Sequence, residues 1–125
     1  MSATTSQTPV LFQHGFWHGS WCWSDVLALV TSAGARAVAV DMAGHGLRAR
    51  HPLALTRRPF DPHLLATEAS PVASVDLDQA GDLLISQIEQ LGGADPVVVV
   101  AHSMGGTVLT QAREGTPEAG MNAVR

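Results

Sequence analysis

Residues 97–109 read VVVVAHSMGGTVL. Four valines end abruptly in a histidine, a serine and two glycines, and an apolar stretch then resumes. A continuous apolar run bounded by turn residues is the pattern of a strand buried on both faces. Ala101-His102-Ser103-Met104-Gly105 matches G-x-S-x-G, the sharp strand-to-helix turn that lifts a serine hydroxyl above a sheet, with Ala101 in the first glycine position. Small residues two before and two after the serine are needed because helix backbone packs on strand backbone there. The plainer alternative is a serine that only caps the next helix.

Working outward, PVLFQ (9–13) is a short apolar run ending at His14-Gly15 and reads as a first strand. Ser20 is placed to cap a helix with Trp23, Val26, Leu27 and Val30 on one face, ended by Gly34. ARAVAVD (35–41) predicts a second strand, closing in MAGHG (42–46). Residues 47–75 contain Pro52, Pro59, Pro62 and Pro71, so neither a long helix nor a central strand runs through them. They predict a surface excursion with one short helix over 61–68. Asp76 and Gln79 form a capping-box pattern opening a helix with Leu77, Ala80, Leu84, Ile88 and Leu91 at helical spacing, stopped by Gly92-Gly93. Residues 96–101 are then the third strand and 104–114 the last helix, ending at Gly115.

Strand and helix alternate, so the expected fold class is α/β: a parallel three-stranded sheet with flanking helices, three layers α/β/α. Right-handed crossovers on opposite faces put the second and third strands on either side of the first. The carboxyl ends of the first and third strands then meet at a switch point, where such sheets bind ligands. His14-Gly15-Phe16 and Ser103 sit at those ends. Residues 1–8 are expected to be a flexible N-terminus, and 116–125 a C-terminal tail.

Composition bounds the rest. The chain has 125 residues, 46% hydrophobic and 14% charged, which suits one globular domain. Its net charge of −4, with no basic cluster beyond Arg48, Arg50, Arg57 and Arg58, argues against nucleic acid or an acidic membrane as partner. No apolar run approaches the roughly 18 residues of a membrane span. The N-terminus lacks the pattern of a signal peptide, and the single Cys22 cannot make an internal disulfide, so a cytoplasmic location is expected.

FQHGFWHGSWCW (12–23), VDMAGHG (40–46), RPFDP (58–62) and VVVVAHSMGG (97–106) occur in the order found in the α/β-hydrolase superfamily. The likeness runs from about residue 9 to 115 and is closest to the compact branch of small esterases and hydroxynitrile lyases. This resemblance implies a partial α/β-hydrolase domain over 9–115, with Ser103 as nucleophile and the N–H groups of Phe16 and Met104 as oxyanion hole. It also implies His14 and Gly15 as support for the oxyanion loop, and Ala101, His102 and Gly105 as the elbow. Lyases of this branch usually carry threonine where this chain has Gly15, so the resemblance points to an esterase acting on a small-molecule ester, with no cofactor and no metal.

A serine hydroxyl needs a base, and in this fold an acid and then a histidine follow the serine. The 22 residues after Ser103 hold no histidine and no aspartate, only Glu114 and Glu118. Glu114 lies about 16 Å of helix rise from the elbow. Upstream, His102 should point away from Ser103 as strand neighbours do, and His14 or His45 is left as a rescued base. His51 and His63 fall in the excursion. His14 and His18 have a zinc-compatible spacing, but Gly15 and Gly19 oppose a helix and no third ligand is evident. Cys22 reads as a packed residue, Trp23 as core, Trp17 as a pocket candidate beside Trp21, and Arg57-Arg58 as a solvated pair. Three readings stand: an ester hydrolase, an inactive interrupted remnant of one, and a non-enzymatic ligand-binding module. Ending after the third strand would expose a valine-rich edge, so self-association through that edge is expected.

Overall fold

The computed structural model describes residues 8–115 and 121–124. Of the stretch 1–8 expected to be flexible, only Thr8 lies among them, and Glu118 lies outside. Strands β1 (Val10–Gln13), β2 (Ala37–Val40), β3 (Val97–Ala101) and β4 (Met121–Val124) form one parallel sheet in the order β2-β1-β3-β4. Helices α1 (Ser24–Ser32), α2 (Pro62–Thr67), α3 (Leu77–Gly92) and α4 (Met104–Gly115) make the connections. The α/β class, the parallel sheet and the placing of β2 and β3 on either side of β1 follow the sequence reading. The sheet, however, has a fourth strand, within the stretch read as a tail. Asn122 interrupts its apolar pattern, and the pairing is made through backbone groups that β3 would otherwise leave open. The valine-rich strand is therefore an inner strand, and the edge that sequence reasoning left exposed is covered.

The core lies on the α3/α4 face. Leu11, Val97, Val99 and Ala101 point there from the sheet and meet Ala80, Leu84, Ile88, Val108, Leu109 and Ala112. The heptad-like spacing in α3 and its Asp76/Gln79 capping box produce this face: the Asp76 carboxylate accepts from the Gln79 N–H, and the Gln79 side chain accepts from the Asp76 N–H. The opposite face carries α1 and the short turn Ser20–Trp23. Trp23, Leu27 and Val30 are half-buried there, while Val26 is exposed, and the Phe12 and Trp23 rings stack at 4.9 Å. Ser20 does not cap α1. It opens a short 3-10 turn (Ser20–Trp23), and its N–H donates to the Asp41 carboxylate at 2.7 Å; α1 begins only after that turn, at Ser24, with Trp23 in the cap position and no side-chain cap.

The excursion 47–75 carries only 3-10 turns (Gly46–Arg48 and Leu53–Thr56) and α2, capped by Asp61. Its fold is held by Glu68, whose carboxylate accepts the N–H groups of Leu53 and Ala54. Among the described residues no helix is long and apolar enough to cross a membrane.

Candidate functional site

β3 delivers Ala101, buried, opposite Gln13 at the end of β1. The chain then turns, and Ser103 adopts φ +54°. A non-glycine residue in the left-handed region costs about 1–2 kcal/mol, so packing must hold it there. Gly105 N–H donates to His102 O and Gly106 N–H to Ser103 O, both at 2.9 Å, which closes the turn into α4. A Cβ on Gly105 would lie 2.6 Å from His14 O and 2.8 Å from Gln13 O. The helix start is thus pressed against the backbone of β1, and only glycine permits the approach. Ser103 itself is exposed and borders an open cleft of about 650 Å³ with His102 and Leu77. His102 was expected to face away; both side chains border the same cleft because the strand's alternation ends where Ser103 leaves the extended conformation.

The loop after β1 comes to the same place. A Cβ on Gly15 would sit 3.0 Å from His102 O and 3.0 Å from Ser103 Cβ. His14 is fully buried. Its Nε2 accepts from the Met42 N–H at 2.9 Å, so Nδ1 carries the proton and donates to Gly15 O at 2.7 Å. Burial is the main reason its imidazole is held below the ordinary histidine range, against the bond to Gly15, with His45 adding repulsion. His14 is therefore a neutral brace with both nitrogens used, and is not free to serve Ser103 as a base.

Sequence reasoning missed the other end of this loop. Asp41 accepts from Ser20 N–H and from Leu47 N–H at 3.2 Å. Burial works to raise its carboxyl, but the hydrogen bonds from Ser20 and Leu47 outweigh that and hold it below the usual range. A Cβ on Gly46 (φ +57°) would collide with this carboxylate. Residues 14–20 are thus clipped at both ends to the loop after β2, by His14 to Met42 and by Ser20 to Asp41. An aspartate ending a strand before a glycine-rich loop was the available signal.

Between these clips stand Phe16 and Trp17, the latter at φ +66°. The N–H groups of Phe16 and Met104 have no hydrogen-bond acceptor among the described residues. The structure therefore sets an exposed hydroxyl against Gly15, with the unpaired N–H groups of Phe16 next along that loop and of Met104 at the start of α4. Such donors stabilise negative charge developing on a carbonyl oxygen when they point at it.

Other candidates are placed elsewhere. His45 packs its ring on Phe16 (5.2 Å between centroids) and on His14 (5.5 Å), with Nδ1 bonded to Ala43 O. His18 lies against Trp21, and His51 and His63 are exposed in the excursion. Glu114 borders the cleft at the opposite end of α4. Trp17 is 85% exposed and borders neither this cleft nor the smaller cavity behind Phe16, its ring edge-on to Phe16 instead. Cys22 is exposed rather than packed, because Ser20–Trp23 forms a surface turn in place of the first turn of α1. Partial burial raises its thiol above the ordinary range, so little thiolate forms. Arg57 and Arg58 are exposed, as expected. Among the described residues no three His, Cys, Asp or Glu side chains are grouped to hold a metal ion.

Comparison with known proteins gives a consistent result. The model of the alpha/beta hydrolase family matches residues 10–124. The chain is 33% identical over 108 residues to the probable esterase PIR7A of Oryza sativa subsp. indica, covering 86% of this chain and 34% of that protein. It is 30% identical over 110 residues to the pheophorbidase of Raphanus sativus, covering 88% and 35%. The crystal structure of the methylesterase MES16 from Arabidopsis superposes with a TM-score of 0.66 at 26% identity, over 95% of this chain and 44% of that one. The chain spans about a third of the length of the curated relatives it matches.

Proposed function

This chain belongs to the alpha/beta hydrolase family, and on that premise we propose that Ser103 is the nucleophile of a serine hydrolase acting on a small carboxylic ester. The observation that carries this is Ser103 itself: a non-glycine residue at φ +54°, exposed between a buried strand and a helix start, and abutting Gly15. In this reading the Ser103 Oγ attacks the ester carbonyl carbon and the carbonyl π electrons move onto oxygen. The N–H groups of Phe16 and Met104 hold that oxyanion. Collapse expels the alcohol with a proton and leaves an acyl-serine, which water hydrolyses. The names of the relatives, esterases and a methylesterase, support the ester class. Gly15 supports an esterase over a lyase, since lyases of this branch usually carry threonine at the matching position.

The base is the part these residues do not supply. Ser103 has no hydrogen bond to a histidine among the described residues, and His14 is committed to Met42 and Gly15. The 125-residue polypeptide alone is therefore expected to hydrolyse p-nitrophenyl acetate barely above background, well below the roughly 1–10³ s⁻¹ usual for enzymes. The test of the nucleophile is prolonged reaction with a fluorophosphonate and mapping of the adduct by mass spectrometry. An adduct on Ser103, absent from Ser103→Ala, is expected; an adduct on another residue, or equal labelling of the variant, overturns the assignment. Fast turnover lost in Ser103→Ala would overturn the claim that the base is missing.

A further inference from the structure

Behind the two unpaired amides lies a second, more enclosed cavity of about 140 Å³. Phe16 and Met104 form its wall toward the site, and Met42, Val75, Leu77 and Ala80 enclose the rest. Leu77 also borders the open cleft that contains Ser103, so one side chain separates the two spaces. The outer wall is built by contact rather than by a loose loop: a Cβ on Gly44 would meet Val72 Cγ1 at 3.3 Å and Val75 Cγ2 at 3.7 Å, and Val75 N–H donates to Val72 O.

Two polar side chains border this cavity, Asp76 and His45. The Asp76 carboxylate is committed to capping α3 through the Gln79 N–H, and His45 Nδ1 to the Ala43 carbonyl. His45 Nε2 and the second Asp76 oxygen are the side-chain atoms left there to bond a guest. A buried water is held by two to four polar partners, and an apolar cavity of about 150 Å³ stays dry and takes up benzene. This space is of that size, and its lining is mostly apolar: Phe16, Met42, Val72, Val75, Leu77 and Met104.

We infer that the cavity behind Phe16 and Met104 is a subsite for a compact apolar group no larger than a phenyl ring. It takes the hydrocarbon end of the ester whose carbonyl lies at Ser103. The assignment of that guest to a substrate rests on the reading of Ser103 as nucleophile; the cavity's affinity for a small hydrocarbon does not.

Benzene is the probe. Thermal melts of the 125-residue chain should shift upward by a few degrees with rising benzene, because a ligand bound only by the folded state stabilises it. Ser103→Ala should shift equally, and the larger naphthalene should have no effect. Val75→Phe, or Val72→Phe if the first does not melt cooperatively, should abolish the shift by filling the space. Benzene should also slow labelling of Ser103 by diisopropyl fluorophosphate several-fold in the wild type and leave it unchanged in the phenylalanine variant. No shift with benzene, an equal shift in the phenylalanine variants, or a shift with naphthalene overturns the cavity assignment. A benzene shift without slower labelling overturns its role as a substrate subsite. Failure of Ser103 to label even without benzene would sink the nucleophile reading, and the melts would still decide the cavity.

Discussion

Two adjacent glycines should respond in opposite directions to the same added methyl. At Gly105 a Cβ would lie 2.6 Å and 2.8 Å from the carbonyl oxygens of His14 and Gln13, and 3.1 Å from Gln13 Cγ. Two of these neighbours are backbone and cannot rotate aside, so Gly105→Ala must displace α4 from β1. Overpacking costs about 1–3 kcal/mol, and two backbone contacts under 3.0 Å put this site in the upper part of that range, about 2–3 kcal/mol. The alanine recovers about 1 kcal/mol of helix propensity, leaving a net loss of about 1–2 kcal/mol. At Gly106 a Cβ meets nothing within 4 Å, so Gly106→Ala keeps the propensity gain and should stabilise by up to about 1 kcal/mol. At about 4 °C per kcal/mol for a chain of this length, circular-dichroism melts should separate the two variants by roughly 8–12 °C. Equal shifts, or a silent Gly105→Ala, would refute the claim that the helix start rests on the backbone of β1. With it would go the explanation for the strained serine two residues earlier.

Stability should also fall with pH in a window set by His14. Its pKa is lowered by burial, so the unfolded chain binds the extra proton first; stability is complete above the unfolded value of about 6.5 and declines as pH drops through it toward the folded value. Urea melts from pH 8 to 5 should show this slope, and His14→Gln should flatten it; an unchanged slope in the variant would contradict the assignment. Asp41→Ala should cost about 1–3 kcal/mol by orphaning the Ser20 and Leu47 N–H groups, with faster hydrogen exchange across residues 14–20, and Asp41→Asn should recover part of it. Trp17, Trp21, Leu29 and Leu47 are all more than 60% exposed, so the purified chain should self-associate; a compact monomer at high concentration in size-exclusion chromatography would count against this.

Backbone-level features were legible in the sequence where short-range chemistry decides them. The Asp76/Gln79 capping box, the short helix expected over 61–68 and the valine run of β3 each depend on a few neighbouring residues, and each lies where the pattern put it. What depended on distant partners was not legible. Ser20 has the chemistry of a helix cap, but Asp41, 21 residues on, holds its N–H in a turn that ends before α1 begins at Ser24. β4 forms by pairing with the open side of β3, a reward that its own sequence does not display. At the site, the glycine at 105 and the serine at 103 announced a tight turn. The clipping of the Phe16 loop by Met42 and Asp41 became visible only when β1 and β2 were set side by side.

The most direct measurement is a crystal structure of the chain after reaction with a fluorophosphonate. Phosphorus is expected bonded to Ser103 Oγ, with the phosphoryl oxygen about 2.7–3.1 Å from the N–H nitrogens of both Phe16 and Met104. An adduct on Ser103 whose phosphoryl oxygen points away from those two amides, or a modified residue elsewhere in the chain, would contradict it.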